Sequence, residues 1–87
     1  MMTLITRDDT VKLNDGSVLR YIEATCGKTS AVVSFSDALG VRVCCKNASA
    51  EVWSRFLGGR SFKTIEDAIA GYRSAAMKSI LTAIAAR

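Results

Sequence analysis

Apolar and polar positions alternate with a period of two through the first half of the chain and shift to helical spacing in the second. Ala31, Val33 and Phe35 fall on one parity and Ser34 and Ser36 on the other; Val41, Val43 and Cys45 oppose Arg42, Cys44 and Lys46. This alternation predicts antiparallel strands with one buried face and one wet face. Four strands are expected, over residues 10–13, 18–24, 31–36 and 41–46, with Leu4-Ile5 as an optional fifth at an edge. Asn14-Asp15-Gly16-Ser17 and Asp37-Ala38-Leu39-Gly40 connect them as two hairpins, and Asp-Gly supplies the positive φ of a tight turn. Cys26-Gly27-Lys28-Thr29 is a turn between the hairpins. It is not a phosphate loop, which would need a glycine where Ile22 stands and a helix to follow.

Beyond residue 48 the spacing becomes helical. Ser49 is an N-cap candidate, Val52, Trp53, Phe56 and Leu57 share a face, and Gly58-Gly59 is a stop, which predicts a short helix over 50–57. A strand through Val52 to Leu57 is the alternative. Thr64 with Asp67 forms a weaker capping box, and Glu66 and Asp67 suit the positive end of a helix dipole. From there Ile65, Ala68, Ile69, Tyr72, Ala76, Ile80, Leu81 and Ile84 make one apolar stripe, predicting a long helix over 64–85. Phe62 is placed to pack back on its first turn. The expected fold is α+β in a single domain: a four-stranded, optionally five-stranded, antiparallel meander followed by a short and a long helix packed on one face.

Composition fits this picture. Hydrophobic residues make up 49% of the 87 positions and charged residues 23%, which is globular rather than disordered. No apolar run approaches the roughly 18–20 residues of a membrane span, and the first residues lack a secretory pattern. Cys26, Cys44 and Cys45 are an odd set with two neighbours, a poor disulfide framework. Free thiols and a cytoplasmic setting follow (the host cytoplasm if the chain is phage-encoded). Parity places Cys45 in the core and Cys44 on the wet face, where an exposed thiol is open to reaction.

The net charge is +4 and lies in the second half: residues 42–87 carry eight basic and three acidic side chains, residues 1–41 four and five. An acidic protein surface or nucleic acid is the partner class this suggests. Chemistry is sparse. The absence of histidine removes the commonest general base and metal ligand. Three cysteines without Cys-x-x-Cys spacing do not make a zinc site, and the neighbouring pairs Asp8-Asp9 and Glu66-Asp67 read as turn and helix-start charge. No catalytic, cofactor or metal residue is expected.

Three surfaces are candidates for binding. The wet sheet face carries Arg42, Cys44 and Lys46, with Arg20 from the neighbouring strand, and suits a nucleic-acid backbone. Arg55, Arg60 and Lys63 cluster about the helix junction, where Gly58-Gly59 allows close approach. The long helix has Gly71 and Ala75 four apart, Arg73 and Lys78 on its outer face, and an apolar upper part suited to a homodimer contact. Phe62-x-Thr64-x-Glu66-x-Ala68-x-x-x-Tyr72 resembles the strand-exit and helix-start pattern of the AP2/integrase-type DNA-binding domains. That resemblance implies a three-stranded sheet backed by one helix and placed in the major groove, but transfers no base-contacting residue. In build, a compact, basic, cofactor-free chain resembles phage-encoded inhibitors of host defence complexes such as anti-CRISPR proteins. The leading expectation is a non-catalytic protein that occludes an acidic or nucleic-acid-binding protein surface. The alternatives are a small nucleic-acid-binding or regulatory module and an oligomeric assembly subunit.

Overall fold

The computed structural model describes residues 2–37, 40–47 and 59–87. It is an α+β fold: an antiparallel sheet of β1 (Thr3–Lys12), β2 (Val18–Cys26), β3 (Thr29–Ser36), β4 (Gly40–Asn47) and β5 (Arg60–Phe62), followed by helices α1 (Ile65–Gly71) and α2 (Ala75–Ala85). Strand order is sequence order, so each strand pairs with its neighbours along the chain. The alternating residues set the register. Ile22, Ala24, Cys26, Ala31, Val33, Val41 and Val43 all face the helices and are buried. α2 lies over β1, β2 and β3, and α1 over β4 and β5. Met77, Ile80, Leu81 and Ile84 of α2 close the core, joined by Ala68 of α1. Burying side chains such as Ile22, Ile80 and Leu81 contributes about 1.5–3 kcal/mol each.

Turn chemistry acts as expected. In the first hairpin Gly16 has φ 88°, and Asp15 accepts hydrogen bonds from the Ser17 amide (2.9 Å) and hydroxyl (2.6 Å). Those bonds lower the Asp15 pKa, the hydroxyl contributing most. Cys26 and Thr29 are directly paired, so Gly27 (φ 62°) and Lys28 form a two-residue hairpin between β2 and β3.

Several boundaries differ from the sequence expectation. Leu4-Ile5 is the start of β1 itself, which continues to Lys12 through a bulge at Thr6, where the register slips between Ile5 and Arg7. The fifth strand lies at the opposite edge: Arg60–Phe62, three residues too short to show a period, pair with Val41–Val43. The expected helix over 50–57 lies outside the described residues.

The helix expected over 64–85 is two helices. Ala68 and Met77 are both buried, yet nine residues is about two and a half helical turns, which would put them on opposite sides of one continuous helix. The break resolves the conflict. Thr64 caps α1 by accepting from the Asp67 amide at 3.1 Å, as the sequence indicated, and Ser74 caps α2 by accepting from the Met77 amide at 3.3 Å. Tyr72 between them is extended (φ −113°, ψ 139°). Two cations donate to carbonyls in the last turn of α1, where Ile69 O also accepts from the Tyr72 amide. Lys78 Nζ donates to Ile69 O and Arg60 Nη1 donates to Gly71 O, both at 2.9 Å. The Arg60 guanidinium also stacks 5.1 Å from the Phe62 ring centre and 4.8 Å from that of Tyr72.

Candidate binding surfaces

The basic residues singled out by the sequence do not form one patch. Arg20 shares parity with Ile22 and Ala24 and is paired with Phe35, so it lies on the helix side of the sheet, opposite the wet face that Arg42 occupies. There it binds Asp8 through both carboxylate oxygens, Nε at 3.0 Å and Nη2 at 2.8 Å. Arg87, just beyond α2, joins the same carboxylate at 3.1 Å. The Arg20 hydrogen bonds, followed by those of Arg87, hold the Asp8 pKa at about 2, below its ordinary 3.8, and the same pairing raises that of Arg20. Arg60 and Lys78 serve the α1 terminus. Lys63 and Arg73 are exposed. Lys46 is placed on β4 opposite Ser30 by its backbone register, and Arg55 lies outside the described residues. Of the basic residues that suggested a partner surface, Arg20, Arg60 and Lys78 are therefore engaged in bracing the fold.

The C-terminal helix also loses its case as an uncovered surface. Gly71 closes α1 and Ala75 opens α2, so no single helix carries them four apart. Close approach of Gly71 to the Phe62 ring accounts for its small size: a Cβ there would stand 2.8 Å from Phe62 Cε1. The apolar stripe of α2 is covered by the chain's own sheet, and Lys78, Thr82 and Ala85 face outward.

The two neighbouring thiols exchange their expected environments. Cys44 is buried and Cys45 exposed. Parity does put Cys45 on the helix side, opposite Ala31, but it remains exposed there. On the other face the chain entering β5 passes over Cys44, where a Cβ on Gly59 would stand 2.8 Å from its Sγ.

The open face is not a flat wet surface. It holds a groove of about 330 Å³ running along β3. Val32 and Ser34 line its floor, Tyr21 and Glu23 stand on β2, and Arg42 and Cys44 on β4. Tyr21, Ser34 and Arg42 form one cross-strand row, and Arg7, Glu23, Val32 and Cys44 the next.

The feature that sequence reasoning missed is the free end of the first hairpin. β2 pairs with β3 only from Arg20 onward, so Val18, Leu19 and their partners Lys12 and Val11 project past the neighbouring strand. Every residue from Asp9 to Val18 is exposed. Val11 (40%), Leu13 (41%) and Val18 (52%) are large apolar side chains left in water, with apolar groups on both faces of a two-stranded ribbon: Val11 and Leu19 on one, Val18 on the other. The sequence reading placed the first strand over residues 10–13 alone, so the overhang shows only once β1 is seen to run over Thr3–Lys12.

Among the described residues no group of three or more Cys, Asp or Glu side chains is positioned to hold a metal ion, and no helix is long and apolar enough to cross a membrane. Comparison with protein families, with curated proteins and with solved structures gives no match for this chain. The Phe62–Tyr72 pattern does mark a strand exit and a capped helix start, but in a five-stranded sheet with two helices rather than three strands backed by one.

Proposed function

We propose that this chain is a non-catalytic binding protein that covers a surface of a protein partner, and that the projecting end of the β1–β2 hairpin is its principal contact. The observation that carries this reading is the exposure of Val11, Leu13 and Val18 on a ribbon that, among the described residues, has no third strand beside it. A two-stranded extension gains little stability alone, and apolar side chains on both of its faces are poorly used in water. Seated against a partner they become the buried centre of an interface rimmed by Asp9, Lys12 and Arg20. Within this reading, the small, basic, cofactor-free build supports the narrower role of an occluding inhibitor of the anti-CRISPR kind.

Site-specific photocrosslinking tests the proposal. A photoreactive residue at Leu13, in extract from the cell in which the protein acts, is expected to capture one discrete protein. The same group at Thr82, on the outer face of α2, is expected to capture none. The triple variant Val11→Ser/Leu13→Ser/Val18→Ser should keep its circular dichroism spectrum and lose the complex. Equal capture at both positions sinks the proposal. Capture of a second copy of the chain reassigns the surface to self-association. Tight retention of duplex DNA or RNA that falls steeply with salt would favour the nucleic-acid alternative instead.

A further inference from the structure

Lys63 stands at a hollow on the helix side of the sheet. Among the described residues the helices cover the rows from Ile5 to Val43, and α1 reaches on over Val41 and Phe62, but the β1–β2 side of the sheet toward the first hairpin is left uncovered. There Thr10, Arg20, Phe35, Val41 and Phe62 form one cross-strand row, and Lys12 with Val18 the next. A hollow of about 370 Å³ opens over this end, lined by Val18, Arg20, Phe35, Asp37, Val41 and Lys63 among others. Its floor is apolar: Val41 is buried, Phe35 half-buried and Val18 exposed. Lys12 is register partner to Val18, so it flanks the hollow on the hairpin side, while Lys63 flanks it on the β5 side.

The charges there are unbalanced. Arg20 is engaged with Asp8, which Arg87 also binds. Among the described residues Lys12 and Lys63 form no ion pair. Asp37 is the acidic group on the lining, against Arg20 and Lys63 with Lys12 alongside. The local field is positive around an apolar seat.

We infer that this hollow takes an apolar side chain from an acidic segment of the protein partner, with carboxylates on either side of that side chain reaching Lys12 and Lys63. The inference rests on the proposed role of the hairpin and extends it by giving the partner's chemistry. An aliphatic or aromatic side chain fits a floor of two valines and a phenylalanine, and opposite charge at the rim orients the segment and speeds its capture. A phosphate backbone is the poorer fit, because it draws on a run of cations to neutralise successive charges, and here two lysines stand apart across an apolar floor.

The test is an amide chemical-shift titration of the full chain with the acetylated peptide Asp-Glu-Leu-Glu-Asp. The signals of Val18, Phe35, Val41 and Lys63 are expected to move with saturation near about 1 mM, the scale of a single weak anchor. Replacing the peptide's leucine by serine should abolish saturation. The double variant Lys12→Glu/Lys63→Glu, at exposed positions that leave the core intact, should weaken binding about tenfold or more. Unmoved signals at about 5 mM peptide, or equal shifts with the serine peptide, overturn the inference. So does an oligonucleotide that moves the same amides and displaces the peptide. Crosslinking at Leu13 with no response to the peptide would remove this inference alone; a peptide response without crosslinking would remove the hairpin's role and leave the hollow.

Discussion

Gly71→Ala puts the helix break under direct test, because two opposing effects of similar size meet there. Gly71 does not have a left-handed backbone, so alanine meets no backbone strain, and at most about 1 kcal/mol of helix propensity favours it, less at a terminal helical position. Against this, the added Cβ would stand 2.8 Å from Phe62 Cε1 and 3.2 Å from Cζ. Comfortable carbon contacts are about 3.5–4.0 Å, so the ring must move by several tenths of an ångström. A ring at the end of a side chain often yields cheaply, but Arg60 lies against this one and Tyr72 packs at 6.1 Å between centres. Overpacking of this kind costs about 1–3 kcal/mol. The net expectation is destabilisation by about 1–2 kcal/mol, or about 4–16 °C in Tm for a chain of this size. Urea denaturation at constant m is the assay. The decisive arm is the Phe62→Ala background, where the clash is absent and Gly71→Ala should stabilise by about 0.5–1 kcal/mol, a coupling of about 2 kcal/mol. If Gly71→Ala is neutral or stabilising with Phe62 present, the ring is not held and the account of the junction fails.

Two further outcomes are expected. The Asp8 pKa of about 2 lies below its ordinary 3.8, so its stabilising contribution is fully present above pH 4 or so and is lost as the pH falls toward 2; thermal melts of Asp8→Asn should show a shallower loss of stability across that window, and a slope unchanged from the parent would refute the pairing with Arg20 and Arg87. A maleimide should label the native protein once, at Cys45, with Cys26 and Cys44 reacting only after denaturant is added, as read by intact mass; a first label on Cys44 would reverse the assignment of the two faces.

Strands β2, β3 and β4 and their turns were legible because a period of two, punctuated by Asp15-Gly16 and Gly27-Lys28, leaves few other solutions; β1 was read only from residue 10, and β5 is too short to show a period. The cap at Thr64 was legible for the same local reason. The helix break was written less plainly. Tyr72, Arg73 and Ser74 include no proline, and only the half-turn conflict between Ala68 and Met77, with a second capping residue at Ser74, distinguishes two helices from one. Arg20 was misplaced although its parity with Ile22 and Ala24 was visible. For Cys44 and Cys45 parity gave the faces correctly and burial wrongly, since burial depends on how far the helices extend and on where the chain crosses at Gly59. The roles of Arg60 and Lys78 follow from carbonyls that exist only once α1 has ended.

The anchoring of α2 on β1 has a consequence for the order in which the molecule assembles. All sheet pairings join sequence neighbours, and those among β1 to β4 need only short loop closures. The links that fix the helical layer are the most distant in the chain: the Thr3 hydroxyl meets that of Ser79 at 2.6 Å, and Asp8 meets Arg87. Hairpins can form within microseconds, whereas the layer that shields Ile5, Ile22 and Ala24 arrives by high-separation contacts formed late. The topology therefore predicts that the meander forms ahead of the helical layer and that docking of α2 is what covers its apolar face.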